Sequence, residues 1–390
     1  MLPIDNDQFT PIVNRYLRIN DKTWGDDKKG YLVRYRGQLY SEDSASVYDQ
    51  LAQTLRPLNV TPLFRIEDDQ HAIILMKGII QPKPTKIWGN ILFFFLTVIS
   101  VAFTGALFST GDLPSGIAGW INFLLSGLPF ALALMAILVC HEFGHYLAGR
   151  YHKTAVTLPF FIPFPLSYFG TMGAFIQLKE PPKNRRILLD IGIAGPLAGL
   201  IVAIPVLLVG LSLSPVDQLP FQLPVGQIFE GNSILYLALK YIVKGQLLPQ
   251  PFSYTGLHPV IYWIRYFFTG SPLPAGGLDV SLHPIAWAGW AGLLVTALNL
   301  IPAGQLDGGH VLYVLMGKRA SRLLPIILII LIMLGLVWSG WWLWALLIFF
   351  LGRYHAEPLD QITPLDPKRQ ALAVVGVIVF ILVFMPVPLA

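Results

Sequence analysis

Ala131-Leu132-Ala133-Leu134-Met135-Ala136-Ile137-Leu138-Val139-Cys140-His141-Glu142-Phe143-Gly144-His145 decides how this chain is read. The first ten residues are apolar and mostly good helix formers. The last five set two histidines four apart around a glutamate. Residues four apart share one helix face, so both imidazoles can meet one ion. The segment that carries them is apolar enough for lipid, an unusual solvent for such a motif.

Composition supports that solvent. The chain has 390 residues, 54% of them hydrophobic and only 13% charged. A soluble protein carries about 25% charged residues, so water is not the main surroundings here. Apolar runs at 87–108, 120–148, 187–213, 283–305, 323–352 and 371–389 approach the ~20 residues that cross a bilayer. The run 323–352 reads as one tilted helix or as a tight pair broken at Ser339-Gly340. The net charge of +5 is small. Its cations stand beside apolar runs, as Lys83/Lys86, Arg150/Lys153, Lys183/Arg185/Arg186 and Lys318/Arg319/Arg322. That is the positive-inside pattern and gives no case for nucleic acid. Cys140 is the single cysteine, which excludes an intrachain disulfide. Met1 to Asp21 is polar, which predicts no cleavable signal peptide and makes the first span the insertion signal.

Residues 1–86 read as a small soluble α+β domain. Tyr31-Leu32-Val33-Arg34-Tyr35 alternates like a half-buried strand. Asp43 and Ser44 can cap a helix with Val47, Leu51 and Leu55 on its inner face, and Pro57 limits it. Two further strands flank a turn at Glu67-Asp68-Asp69-Gln70. The order predicted is β-α-β-β, a regulatory or docking module with no catalytic cluster. Residues 87–390 form the membrane part. Within it, 155–178 is apolar but carries Pro159, Pro163, Pro165, Gly170 and Gly173, which oppose a helix. Non-helical backbone at membrane depth must be buried in protein or line a wet cavity, so a re-entrant loop or hairpin is predicted. Residues 214–282 read as an extramembrane loop with partly embedded helices. The fold class is an all-α polytopic membrane protein of about 6–7 transmembrane helices.

The charges put the ends of the second span and the start of the third on the cytoplasmic-type side. His141, His145 and Asp307 then share that side and depth. Asp307 is one of very few acids in the apolar segments, and a carboxylate there is costly unless paired with a cation. It is the best third ligand. Zinc accepts two imidazoles and a carboxylate and leaves a position for water, whose pKa it lowers toward ~7. Glu142 can then act as general base and return the proton to a leaving amine. Asn299 and Pro302 interrupt the fourth span, and an amide at Asn299 could bond an extended substrate. An edge strand within Phe169–Leu178, with Gly170, Gly173 and Phe175, could hold that substrate by strand addition. Gly195 and Gly199 read as close helix packing. Cys140 reads as an inert buried thiol, and His310 as an interfacial histidine. His71, His152, His258, His283 and His355 show no partner pattern.

Together the His-Glu-Phe-Gly-His helix, Gly170-Thr171-Met172-Gly173-Ala174-Phe175, Ala194 through Gly199 and Asn299 through Gly309 resemble the site-2 proteases, intramembrane zinc metalloproteases. The likeness covers about residues 130–320. It implies a three-helix catalytic core, His141, His145 and Asp307 on Zn2+, Glu142 as base, and Asn299 near substrate. It also implies cleavage of single-span membrane proteins in regulated intramembrane proteolysis. The N-terminal domain and the His283-Pro284 approach look more like the cyanobacterial and chloroplast branch. The location expected is a plasma or inner membrane, or a chloroplast or thylakoid-type membrane, in contact with lipid. Two other readings stand beside this one. One is a different membrane metalloprotease with Glu180 as third ligand. The other is a transporter or scaffold with a structural metal.

Overall fold

The structure, a computed structural model, describes residues 7–25, 30–82, 84–111, 113–222, 228–352 and 357–389. Lys83 and His355 lie outside the described residues. The N-terminal unit runs α1 (Thr10–Val13), β1 (Leu17–Trp24), β2 (Val33–Leu39), α2 (Ser44–Leu55), β3 (Val60–Glu67) and β4 (Gln70–Lys77). Its antiparallel sheet has the order β1-β2-β4-β3. The Asp43 carboxylate accepts the Ser46 amide at 3.2 Å and caps α2 as the sequence predicts. Val47, Leu51 and Leu55 face Val33, Tyr35, Phe64, Ile73 and Leu75 in one buried cluster. Asp68 and Asp69 both have positive φ, the two-residue turn that matches strand twist. The pattern is thus β-β-α-β-β rather than β-α-β-β. β1 escaped the sequence reading because it is an edge strand. Only Leu17 of its residues is buried, so it carries no apolar alternation.

The unit is tied to the rest of the chain through β3. The Phe64 amide donates to Leu359 O at 2.9 Å, and the Gln361 amide donates to Phe64 O at 3.1 Å. The Arg65 guanidinium adds bonds to the carbonyls of Pro358 and Leu359. An otherwise bare sheet edge is covered in this way.

Among the described residues, three helices are long and apolar enough to cross a membrane: α3 (Ile87–Thr110), then α5 (Leu128–Tyr151) after the short α4 (Gly116–Ser126), and α6 (Arg185–Leu213). The expected span at 120–148 is therefore divided. Gly127 separates α4 from α5 because the chain there touches α3. A Cβ at Gly127 would lie 1.9 Å from Ala102 O. Between α5 and α6, β5 (Phe160–Pro163) and β6 (Thr171–Phe175) form the expected hairpin. The segment after α6 holds β7 (Val216–Gln218), α7 (Ile234–Lys244), α8 (Pro259–Thr269) and β8 (Leu278–Val280), with β7 paired to β8.

The expected span at 283–305 ends early. It becomes α9 (Pro284–Asn299), a turn through 300–306, and α10 (Asp307–Met316). Pro302 cannot donate to a helix, and the break sets Asp307 at the first turn of α10. The run 323–352 is the tight pair, α11 (Leu324–Gly335) and α12 (Gly340–Leu351), and α13 (Pro367–Val383) follows. α5, α6 and α9 share the main core, with Leu134, Ile137, Leu200, Leu207, Trp290 and Leu294 in it. Lipid gives such helices little hydrophobic reason to associate, so small residues at the contact matter most.

Candidate metal centre

α5 sets His141 and His145 one turn apart, and their Nε2 atoms lie 3.3 Å from each other. Asp307 opens α10, and its Oδ2 lies 3.3 Å from each Nε2. The three donors therefore make a nearly equilateral triangle. Ligands about 2.0–2.1 Å from a tetrahedral ion stand about 3.4 Å apart, so the triangle has the size that zinc needs. Both histidines are buried, at 3% and 6% exposure, so three lone-pair donors facing one another call for positive charge between them. The tautomer agrees. His145 Nδ1 lies 2.7 Å from Ile191 O, where its proton is donated and Nε2 keeps its lone pair.

α6 makes room for both rings. A Cβ at Gly195 would lie 2.0 Å from His145 Nε2, and one at Gly199 would lie 3.1 Å from His141 Nδ1. The sequence reading assigned these glycines to helix packing alone. Their spacing of four, the same as that of the histidines opposite, was the available signal.

Glu142 is buried and lines a cavity of about 190 Å3 with the three triangle residues. Phe175, Ile176, Asn299 and His310 line it too. The space is large enough for several waters. The Asn299 amide nitrogen lies 3.3 Å from His141 Nε2, so the end of α9 reaches the triangle. Phe175 ends β6 at the same cavity. Gly170 does not reach it. It makes the hairpin turn against α3, where Ser100 Oγ donates to its carbonyl at 2.6 Å. Gly173 has open space over its α-carbon but does not line the cavity either. The close approach of the α3 backbone holds Gly170 in this turn.

Glu180 is placed elsewhere. Its Oε1 accepts the Ala155 amide at 2.7 Å, which removes it as third ligand. His152 does have a partner. Its Nε2 lies 2.9 Å from Asp190 Oδ2, and Arg369 grips the same carboxylate with two nitrogens. This joint links α5, α6 and α13 just beyond the metal helix. Nothing in sequence spacing signals it, since the partners are 38 and 179 positions apart.

A membrane-helix core with a His-Glu-x-x-His helix and a remote aspartate defines a class, and the chain belongs to it: residues 129–338 match Peptidase family M50, the site-2 protease family. Its similar proteins are on the chloroplast branch. The probable zinc metalloprotease EGY1, chloroplastic, of Oryza sativa subsp. japonica is 29% identical over 337 residues, 80% of this chain and 53% of that protein. The probable zinc metalloprotease EGY2, chloroplastic, of Arabidopsis thaliana is 30% identical over 336 residues, 83% of this chain and 54% of that protein. The chain spans about half the length of these relatives. No solved structure matches.

Proposed function

We propose that the chain is an intramembrane zinc endopeptidase that cuts transmembrane segments of single-span proteins, in regulated intramembrane proteolysis. The observation that carries this reading is the 3.3 Å triangle of His141, His145 and Asp307 beside a buried Glu142. His141 and His145 would hold zinc through nitrogen and Asp307 through oxygen, beside the cavity. Zinc held there supplies Lewis acidity to water and to the scissile carbonyl.

The remaining steps belong to the chain's own groups. Glu142 takes the proton of the attacking water and delivers it to the leaving nitrogen. The Asn299 amide donates to the substrate carbonyl and fixes its orientation. A helical substrate hides its peptide bonds, so it must be drawn out straight. The β6 edge ending at Phe175 offers backbone partners for that extended stretch. The α5–α6–α9 group then forms the catalytic core within about six or seven spans.

The relatives' names and the cation pattern support a chloroplast-type membrane, with the centre toward the stromal or cytoplasmic-type side. The test is cleavage of single-span peptides by purified protein against the Glu142→Gln variant. The expected result is retained zinc with turnover lowered at least about 100-fold. Undiminished turnover in that variant contradicts the mechanism.

A further inference from the structure

A larger cavity, of about 640 Å3, lies at the other end of α9 from the metal centre. The end of α3, the start of α9 and the β7–β8 pair enclose it. Its wall carries Asp217, Glu230 and Asp279 and, among the described lining residues, no lysine or arginine. Phe108, Phe130 and Trp287 add aromatic surface. Glu230 and Asp279 are buried, at 9% and 6% exposure. One ammonium backs them. Lys240 is fully buried, 3.9 Å from Glu230 Oε1 and 4.5 Å above the Tyr236 ring. A single ammonium does not balance two buried carboxylates. Burial, and then Asp279 as neighbour, push the Glu230 carboxyl up to about 7. Both acids lie outside the three long apolar helices.

The hydrogen bonding of this corner is also incomplete. Among the described residues, buried side-chain atoms without a hydrogen-bond partner are Arg34 Nε, Asn232 Oδ1, Lys240 Nζ and Trp287 Nε1. Of these, Trp287 lines the cavity, while Asn232 and Lys240 are outside its lining. Buried polar atoms are nearly always paired, so the unpaired Trp287 N–H marks a place for an acceptor.

The hairpin joins this cavity to the metal centre. Phe169 contacts Trp287 with ring centres 6.1 Å apart, and Phe175 lines the metal-side cavity. The six steps from Phe169, in the hairpin turn, to Phe175 at the end of β6 cover at most about 20 Å. The twelve helical steps from Trp287 to Asn299 cover about 18 Å. The hairpin is therefore long enough to reach from one cavity to the other. A substrate laid along β6 brings its far flank to the carboxylates.

We propose that this cavity is an exosite for a lysine or arginine side chain on the substrate's far flank, about 20 Å from the scissile bond. It rests on the proteolytic reading above. The basic group meets Glu230 and Asp279 and lies against aromatic faces, which attract cations. The Trp287 N–H donates to a substrate carbonyl. A bare divalent ion fits less well, because the space far exceeds one coordination shell and the rings offer no ligands.

The test uses the full chain in nanodiscs and three single-span peptides that differ only in a far-flank lysine, alanine or glutamate. Binding is measured on Glu142→Gln protein by peptide fluorescence anisotropy, and KM and kcat on active protein. The lysine peptide is expected to bind roughly tenfold more tightly than the glutamate peptide, with the difference in KM rather than kcat. Asp279→Asn should reduce that ratio toward one. Asp217→Asn, at an exposed position, should reduce it in part and covers the case in which Asp279→Asn misfolds. Equal binding of the three peptides, or a preference unmoved by both variants, overturns the exosite even if cleavage proceeds. A charge preference in binding without cleavage upholds the exosite and sinks the protease reading instead.

Discussion

Gly195 and His145 are in contact across the α5–α6 interface: a Cβ on the glycine would lie 2.0 Å from the imidazole Nε2. No side chain fits between α6 and the metal-side nitrogen. In Gly195→Ala the ring or the helix must shift, and the triangle opens. Zinc affinity should fall about 10- to 100-fold, by analogy with lost support around metal ligands. Zinc titration of the purified variant checks this. An unchanged affinity would show that the interface relaxes freely.

Arg65 fastens the N-terminal sheet to the segment before α13 through the backbone carbonyls of Pro358 and Leu359. Arg65→Met keeps the aliphatic stem and deletes these bonds. Bonds to a charged group contribute about 1.5–3 kcal/mol each at most, so undocking should become measurably easier. Hydrogen exchange at Leu359 to Thr363 is expected to speed up while the β1–β2 amides stay protected. Uniform protection in the variant would mean that the Phe64 strand contact suffices.

His71 gives the N-terminal sheet a pH response. Burial lowers its imidazole below the ordinary 6.5, opposed by Asp360. Nδ1 accepts the Leu39 amide at 3.2 Å, so protonation removes that acceptor. A histidine depressed in the folded state gives stability that is present above its unfolded value and lost as pH falls through it. The Leu39 amide, corrected for intrinsic exchange, should therefore lose protection below about pH 6.5, and His71→Gln should flatten the response. The same loss in His71→Gln would assign it elsewhere.

The site was easier to read in the sequence than the fold. His141, Glu142 and His145 are local, because one helix places all three. Asp307 was legible because an acid in an apolar run has to answer to something. Asn299 followed from the same interruption. Gly170 signals close backbone approach without saying to what, and in the structure α3 makes one such approach. β1 was missed because an edge strand need not alternate. The break at Gly127 was missed because hydropathy counts apolar residues and is blind to a neighbour pressing on the backbone, whereas the interruption at Asn299 and Pro302 was legible from the proline itself. His152, Asp190 and Arg369 meet only in three dimensions.

Zinc K-edge absorption on purified wild-type protein and on Asp307→Ala tests the central claim most directly. The wild type should hold one zinc per chain with two imidazole nitrogens and an oxygen shell at about 2.0–2.1 Å. Asp307→Ala should lose most of the metal while keeping its helical content. One zinc with an unaltered shell in Asp307→Ala would contradict the account.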